Sequence, residues 1–286
     1  MTRRNFIAAS GAALAAFYLP GGILKALAPE TTRDVYERIV RKASEENWNA
    51  LDVHQIISKF ASELIGTPYV GGTLEVIPEA CTVDLTGLDC VTLFETSLDA
   101  ARCFRRQAWS FKDLLAEVEF TRYRGGVQRG YASRLHYTSD WIAEGIVKGV
   151  VADRTKSLGG KPFRVSVGFM SENYKLYKQL AGGEDALRRE IESAENRLNG
   201  MDLYYIPTSK ISKIEDKLHS GDIIAIRTSK KGLDYSHTGL VYRDESGGAR
   251  FLHASSKKKQ VTLDVGLAEY VAGTKSNLGI TVLCPV

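Results

Sequence analysis

The sequence predicts an α+β fold in which helices pack on an antiparallel open β-barrel or sheet, with a large helical and loop insertion between the two. Two observations predict it. Apolar residues recur at helical spacing through the first third of the chain, and the last third strings short β-branched runs between turn residues. A hydrophobic content of 44% over 286 residues supplies a real core.

Residues 33–65 read as two helices, with apolar positions Val35, Ile39 and Val40 and then Val53, Ile56, Ile57, Phe60 and Leu64. Gly66, Thr67 and Pro68 stop the second, and a turn-rich stretch through Gly71, Gly72 and Pro78 follows. A third helix is predicted over 90–104, where Leu93, Phe94, Leu98, Ala101 and Phe104 bury one face. Asp89 is a good N-cap for it. Cys90 therefore lies in the first turn, where unpaired N–H groups and the positive helix end favour a thiolate. Taken alone, Cys90 reads first as a small buried hydrophobe, as most free cysteines are, and the rest of the chain has to supply the case for a nucleophile.

Residues 105–219 form the insertion, with helical runs such as 185–198 between aromatic and polar loops and no internal repeat. Strands are predicted at 222–227, 236–242, 249–255, 260–265 and 280–284. Their connections are too short for crossover helices, so the pairing should be antiparallel. Asp244, Glu245, Ser246, Gly247 and Gly248 signal a hairpin turn. A loop with an odd number of residues places His237 and His253 opposite or diagonal on one face of the sheet, and an even one places them on opposite faces.

Residues 1–28 read as an export signal and 29–286 as a single catalytic domain. Arg3 and Arg4 precede an apolar run, 6–19, that is short for a bilayer span. Thr2, Arg3, Arg4, Asn5, Phe6 and Ile7 resemble the twin-arginine signal, which implies a periplasmic protein with no stable membrane anchor. Ala26, Leu27 and Ala28 have the form of a cleavage site, with Pro29 awkwardly placed after them. The net charge of +4 is small and scattered, which argues against nucleic acid, and Lys257, Lys258 and Lys259 read as a solvated turn. Cys81, Cys90, Cys103 and Cys284 match neither a metal motif nor a disulfide framework, so at most one bridge is expected, and no cofactor is called for. The chain is expected to be a monomer.

Cys90, His237 and His253 together satisfy the logic of a thiol hydrolase: a nucleophile, a base, and a group that holds the base in one tautomer. The same three residue types could ligate zinc, a weaker reading.

Several short motifs in one order give the chain a family resemblance. Ile65, Gly66, Thr67, Pro68, Tyr69, Val70, Gly71 and Gly72 come first, then Leu88, Asp89 and Cys90. Gly221 and Asp222, the strand 236–242, and Leu252, His253 and Ala254 follow. This pattern resembles the NlpC-type, papain-like cysteine amidases of bacterial cell walls. The resemblance implies a papain-like core, Cys90 as nucleophile, His237 as base, His253 as orienting group and Tyr69 at the substrate pocket, with Asp89 and Ser236 also on the substrate side. Val91 stands where these enzymes commonly have serine, a residue that helps bind the free amine of a short peptide in relatives cutting between D-glutamate and diaminopimelate.

The insertion, Leu74 and Glu75, and Leu135, His136, Tyr137, Asp140 and Trp141 look most like a smaller branch, domain-of-unknown-function family 1460. That resemblance implies an N-acetylmuramoyl-L-alanine amidase acting on peptidoglycan fragments, in particular 1,6-anhydro-muropeptides. Arg134, His136, Tyr137, Asp140 and Trp141 are then candidates for substrate recognition, Trp141 as a stacking platform, or else the core face of a helix. The alternative activity is a γ-D-glutamyl-diaminopimelate endopeptidase. A catalytically silent wall-binding protein is the alternative of another class, and acyl transfer from the thioester a third chemistry.

Overall fold

The computed structural model describes residues 29–286, so the expected export signal lies outside the described residues. Helices α1 (Thr32–Glu45) and α2 (Val53–Ser62) each begin with a reciprocal capping box, Thr31 with Asp34 and Asp52 with Gln55. Helix α3 (Cys90–Arg105) starts at the expected residue because Asp89 Oδ1 accepts from the N–H groups of Val91 at 3.0 Å and Thr92 at 2.8 Å.

One buried face was expected for α3, but its burial extends to Glu95 and Asp99. The helix packs against α2, the insertion and the sheet at once. Its buried carboxylates are matched locally: Arg122 Nε donates to Glu95 at 2.7 Å and Thr121 Oγ1 to Asp99 at 2.9 Å. Burial, and then the Glu95 charge, push the Asp99 carboxyl well above its usual range, which favours its neutral form.

The insertion contains α4 (Phe111–Arg122), α5 (Thr138–Val147), β1 (Val151–Asp153), β2 (Lys161–Arg164), α6 (Phe169–Glu172), α7 (Lys178–Gly182), α8 (Asp185–Leu198) and β3 (Asp202–Pro207). It is thus more than the expected helices and loops, because three strands from it extend the sheet. They are short and partly exposed, so they carry little periodic signal, and their pairing partners lie elsewhere in the chain.

The predicted strands follow as β4 (Ile223–Thr228), β5 (Tyr235–Arg243), β6 (Ala249–Ser255), β7 (Gln260–Gly266) and β8 (Asn277–Pro285), with α9 (Leu267–Ala272) before the last. The order is β2-β3-β8-β4-β5-β6-β7, with β1 also on β8 and all pairs antiparallel. The path runs between two free ends, so the fold is α+β with an open sheet, not a closed barrel. Strand alternation splits its apolar residues. Leu240, Leu252 and Ala254 join α3 in one core, and Val241 and Phe251 join Leu267 and Val271 of α9 in another. No helix among the described residues is long and apolar enough to cross a membrane.

Candidate active site

Arg243 pairs with Ala249, leaving residues 244–248 as an odd loop. Leu240 lies opposite Leu252, so His237 and His253 sit diagonally on one face. Their rings meet, with Nε2 of His237 2.8 Å from Nδ1 of His253. Gly239 makes room beneath them, since a Cβ there would stand 2.6 Å from the Phe251 ring, which stacks on His253.

Asp264 on β7 completes the arrangement, with Oδ2 3.3 Å from His253 Nε2. The carboxylate accepts, so His253 Nε2 carries the hydrogen and His253 Nδ1 becomes the acceptor. His237 must then donate from Nε2, which leaves Nδ1 as the free basic nitrogen. Burial opposes the charge on Asp264, but Lys258 Nζ at 2.9 Å, the Val265 N–H and His253 hold its carboxyl below the usual range. Lys258 is therefore more than a residue of a solvated turn. Sequence reasoning missed Asp264; an acidic residue within a β-branched strand is the signal that could have found it.

Cys90 meets the same strand one residue away, where Thr238 Oγ1 donates to the Cys90 carbonyl at 2.8 Å. The N–H of Cys90 lies against its own sulfur and favours a thiolate. Tyr69 stands beside it on a segment pinned by Val70 N–H to Leu88 O at 3.0 Å and Leu88 N–H to Pro68 O at 3.0 Å. Burial and the neighbouring Cys90 and Asp89 charges raise the Tyr69 phenol. Tyr270 of α9, also missed in the sequence, has its ring 4.7 Å from that of His253 and 6.1 Å from that of His237. Burial, then Asp264 and Cys90, push its phenol up to about 12.

The thiol itself departs from expectation. Burial, then the Asp89 charge, push Cys90 up to about 11, outweighing the helix end and Thr238. Burial and His253 bring His237 down to about 3. Both groups therefore favour their neutral forms, a thiol and an imidazole.

A family model described as AmiA-like, N-acetylmuramoyl-L-alanine amidase-like, matches residues 59–280. The chain belongs to this family. The AmiA-like chain also resembles a crystal structure of an N-acetylmuramoyl-L-alanine amidase from Bacteroides uniformis at 31% identity and a TM-score of 0.76, covering 82% of this chain and 98% of that one. A second structure of a B. uniformis amidase of that name gives 30% identity, a TM-score of 0.76, and 82% and 99% coverage. A Legionella pneumophila protein of domain-of-unknown-function family 1460 shares the fold at 20% identity and a TM-score of 0.66, over 89% of this chain and 97% of that one. No curated protein matches the chain in sequence.

The remaining candidates separate into two groups in this AmiA-like fold. Tyr69, Asp89 and exposed Ser236 lie beside the trio, Ser236 on the bulge where β5 slips against β4. Arg134, His136, Tyr137, Asp140 and Trp141 are instead tied to internal partners. Arg134 donates to Leu74 O at 2.9 Å and pairs with Glu75 at 2.5 Å. His136 Nε2 meets Tyr131 O at 2.8 Å, Tyr137 donates to Glu195 at 2.6 Å, and Asp140 pairs with Arg124 at 2.5 Å. Trp141 is 4% exposed and packs edge-on against Phe94 of α3, so it cannot serve as an open stacking platform. Its helix faces the core because Asp234, just before β5, accepts the Ser139 N–H at 2.7 Å and docks the start of α5.

Three neutral histidines make the AmiA-like fold acid-sensitive. Burial brings His136 and His237 to about 3 and lowers His253, against 6.5 for the free side chain. The unfolded chain therefore binds more protons below 6.5, and stability falls as pH falls, by about 1.4 kcal/mol per pH unit for each histidine that stays neutral. Asp99, whose raised carboxyl takes up a proton on folding, opposes one of them, so urea midpoints should drop between about pH 6.5 and 4.5 less steeply than the histidines alone would give, and a rise there would contradict this assignment.

Proposed function

We infer that the protein is a peptidoglycan amidase that hydrolyses the N-acetylmuramoyl-L-alanine amide bond with Cys90 as nucleophile. The relay from Asp264 through His253 to His237, beside a cysteine at the head of α3, carries this reading. Cys90 Sγ attacks the amide carbonyl as its proton passes to His237 Nδ1. The C–N bond then breaks, the proton goes to the amine of L-alanine, and a thioester remains. Water attacks the thioester, giving one proton to His237, which passes it to the leaving sulfur, and the lactyl acid departs and ionises to its carboxylate. In this reading the Cys90 N–H at the helix start holds the oxyanion.

The names of the Bacteroides relatives support the amide-bond chemistry. Val91 in place of an amine-binding serine favours the sugar side of L-alanine, and with it 1,6-anhydro-muropeptides as substrates. A papain-like NlpC-type core, export by the twin-arginine-like segment, and action as a periplasmic monomer belong to the same proposal. With Trp141 and its neighbours internal, substrate contact in this reading falls to residues beside the trio such as Tyr69, Asp89, Ser236 and Tyr270.

Mass spectrometry of digested anhydro-muropeptides tests the scissile bond. Free anhydro-sugar and an intact stem beginning at L-alanine are expected. Cleavage between D-glutamate and diaminopimelate would make the protein an endopeptidase, and binding without cleavage a silent wall-binding protein.

Asp264→Asn removes the acceptor that sets the His253 tautomer and should lower kcat by about tenfold to a hundredfold with little change in KM. Unaltered kcat across pH 5–9 would remove Asp264 from the relay.

A further inference from the structure

We propose that His54, Asp222 and Cys284 form a binding site for a zinc-class divalent cation, separate from the Cys90 site and independent of the proposed amidase reaction. Asp222 immediately precedes β4, Cys284 lies near the end of β8, and His54 is in the first turn of α2. Ile223 pairs with Leu283, which sets Asp222 and Cys284 on neighbouring strands. The first turn of α2 closes on them because residue 221 is glycine: a Cβ there would lie 2.4 Å from the His54 carbonyl oxygen. Asp222 is four residues along from Ile226, the partner of His237, which places the two sites about 13 Å apart along the strands.

Two polar atoms there have no hydrogen-bond partner. Asp222 is 0% exposed, and its Oδ1 and His54 Nδ1 are both buried and unpaired. They face each other at 3.7 Å, too far for a hydrogen bond. That separation suits two atoms bonded to one ion at about 2.1 Å each. The other carboxylate oxygen is already engaged, by the His219 N–H at 2.9 Å and Arg154 Nη1 at 3.4 Å. Arg154 also meets His219 Nδ1 at 3.0 Å, which keeps that ring from the ion. Cys284 Sγ lies 3.5 Å from Nε2, the other nitrogen of the His54 ring; since the ring gives one nitrogen to an ion, the convergence rests on one ligand atom from each of His54, Asp222 and Cys284 falling within 4.8 Å of the others.

A thiolate, an imidazole and a carboxylate form the mixed donor set that suits zinc, with water in the remaining position. Binding displaces the Cys284 proton, compensates the buried carboxylate, and clamps α2 to the central strands. Among the described residues, this is the trio whose ligand atoms converge, whereas Cys90, His237 and His253 do not form such a group.

Titration of the full-length, metal-free protein with Zn²⁺, and with Co²⁺ as a spectroscopic probe, tests the site. One equivalent should bind, with a thiolate-to-cobalt charge-transfer band and a rise in Tm on the order of 5 °C at saturating Zn²⁺. Cys284→Ser should lose the band and the Tm shift, and Cys90→Ser should keep both. His54→Gln, which retains the thiol, should also lose the shift and decides the matter if Cys284→Ser does not fold. No binding at micromolar metal, or a band that survives Cys284→Ser and vanishes in Cys90→Ser, overturns the proposal. Neither result bears on amide cleavage.

Discussion

Cys90→Ala is expected to abolish amide cleavage, with a loss of at least about 10⁴-fold in kcat. No neighbouring group can replace the sulfur, since Thr238 is committed to the Cys90 carbonyl and Tyr69 and Tyr270 have raised phenols. Stability should hardly change. The cap of α3 comes from Asp89, and the helix is held by Leu93, Phe94, Leu98 and the Glu95–Arg122 pair, none of which involves the thiol. Muropeptide digestion and a thermal melt on the same sample check both halves. A folded Cys90→Ala protein that still releases stem peptide would end the thiol mechanism.

His237→Ala should be nearly as severe at neutral pH, about 10³-fold to 10⁴-fold, and the loss should shrink with rising pH. The reason is the resting state of the thiol. With Cys90 near 11, about one molecule in 10⁴ carries a thiolate at pH 7 once no base assists, and that fraction grows about tenfold per pH unit until it approaches 11. Cleavage by the variant, and alkylation of Cys90 by iodoacetamide, should climb in parallel over that range. Wild-type rates at pH 7 in a folded variant would show that His237 is not the base. A pH-independent residual rate would show that the thiolate is not what attacks.

Much of the frame was legible in the chain because local chemistry specifies it. Asp52 and Asp89 cap helices through their own neighbours, the apolar spacing of α2 and α3 declares their buried sides, and the residues after Tyr242 announce a hairpin. The odd loop then set His237 and His253 on one face, since the period of a strand admits only two choices. Less was visible where partners lie far apart in sequence. The insertion strands β1 to β3 have few periodic residues of their own and exist through pairing with β8 or with each other. Tyr270 and Asp264 belong to no motif and reach the site because β6, β7 and α9 fold back over the histidines.

By itself, the sequence determined where the helices and principal strands begin, and which thiol and which imidazoles could meet. The rest was decided by tertiary structure, through burial. A helix start favours a thiolate by a short-range field, but desolvation and the Asp89 charge depend on what packs around Cys90, and they reverse that preference. Trp141 and Tyr137 have the composition of a sugar platform, yet Asp234 and Glu195, remote in sequence, turn them into core. Charge state and exposure arise from the whole packed environment, which no local window of residues contains.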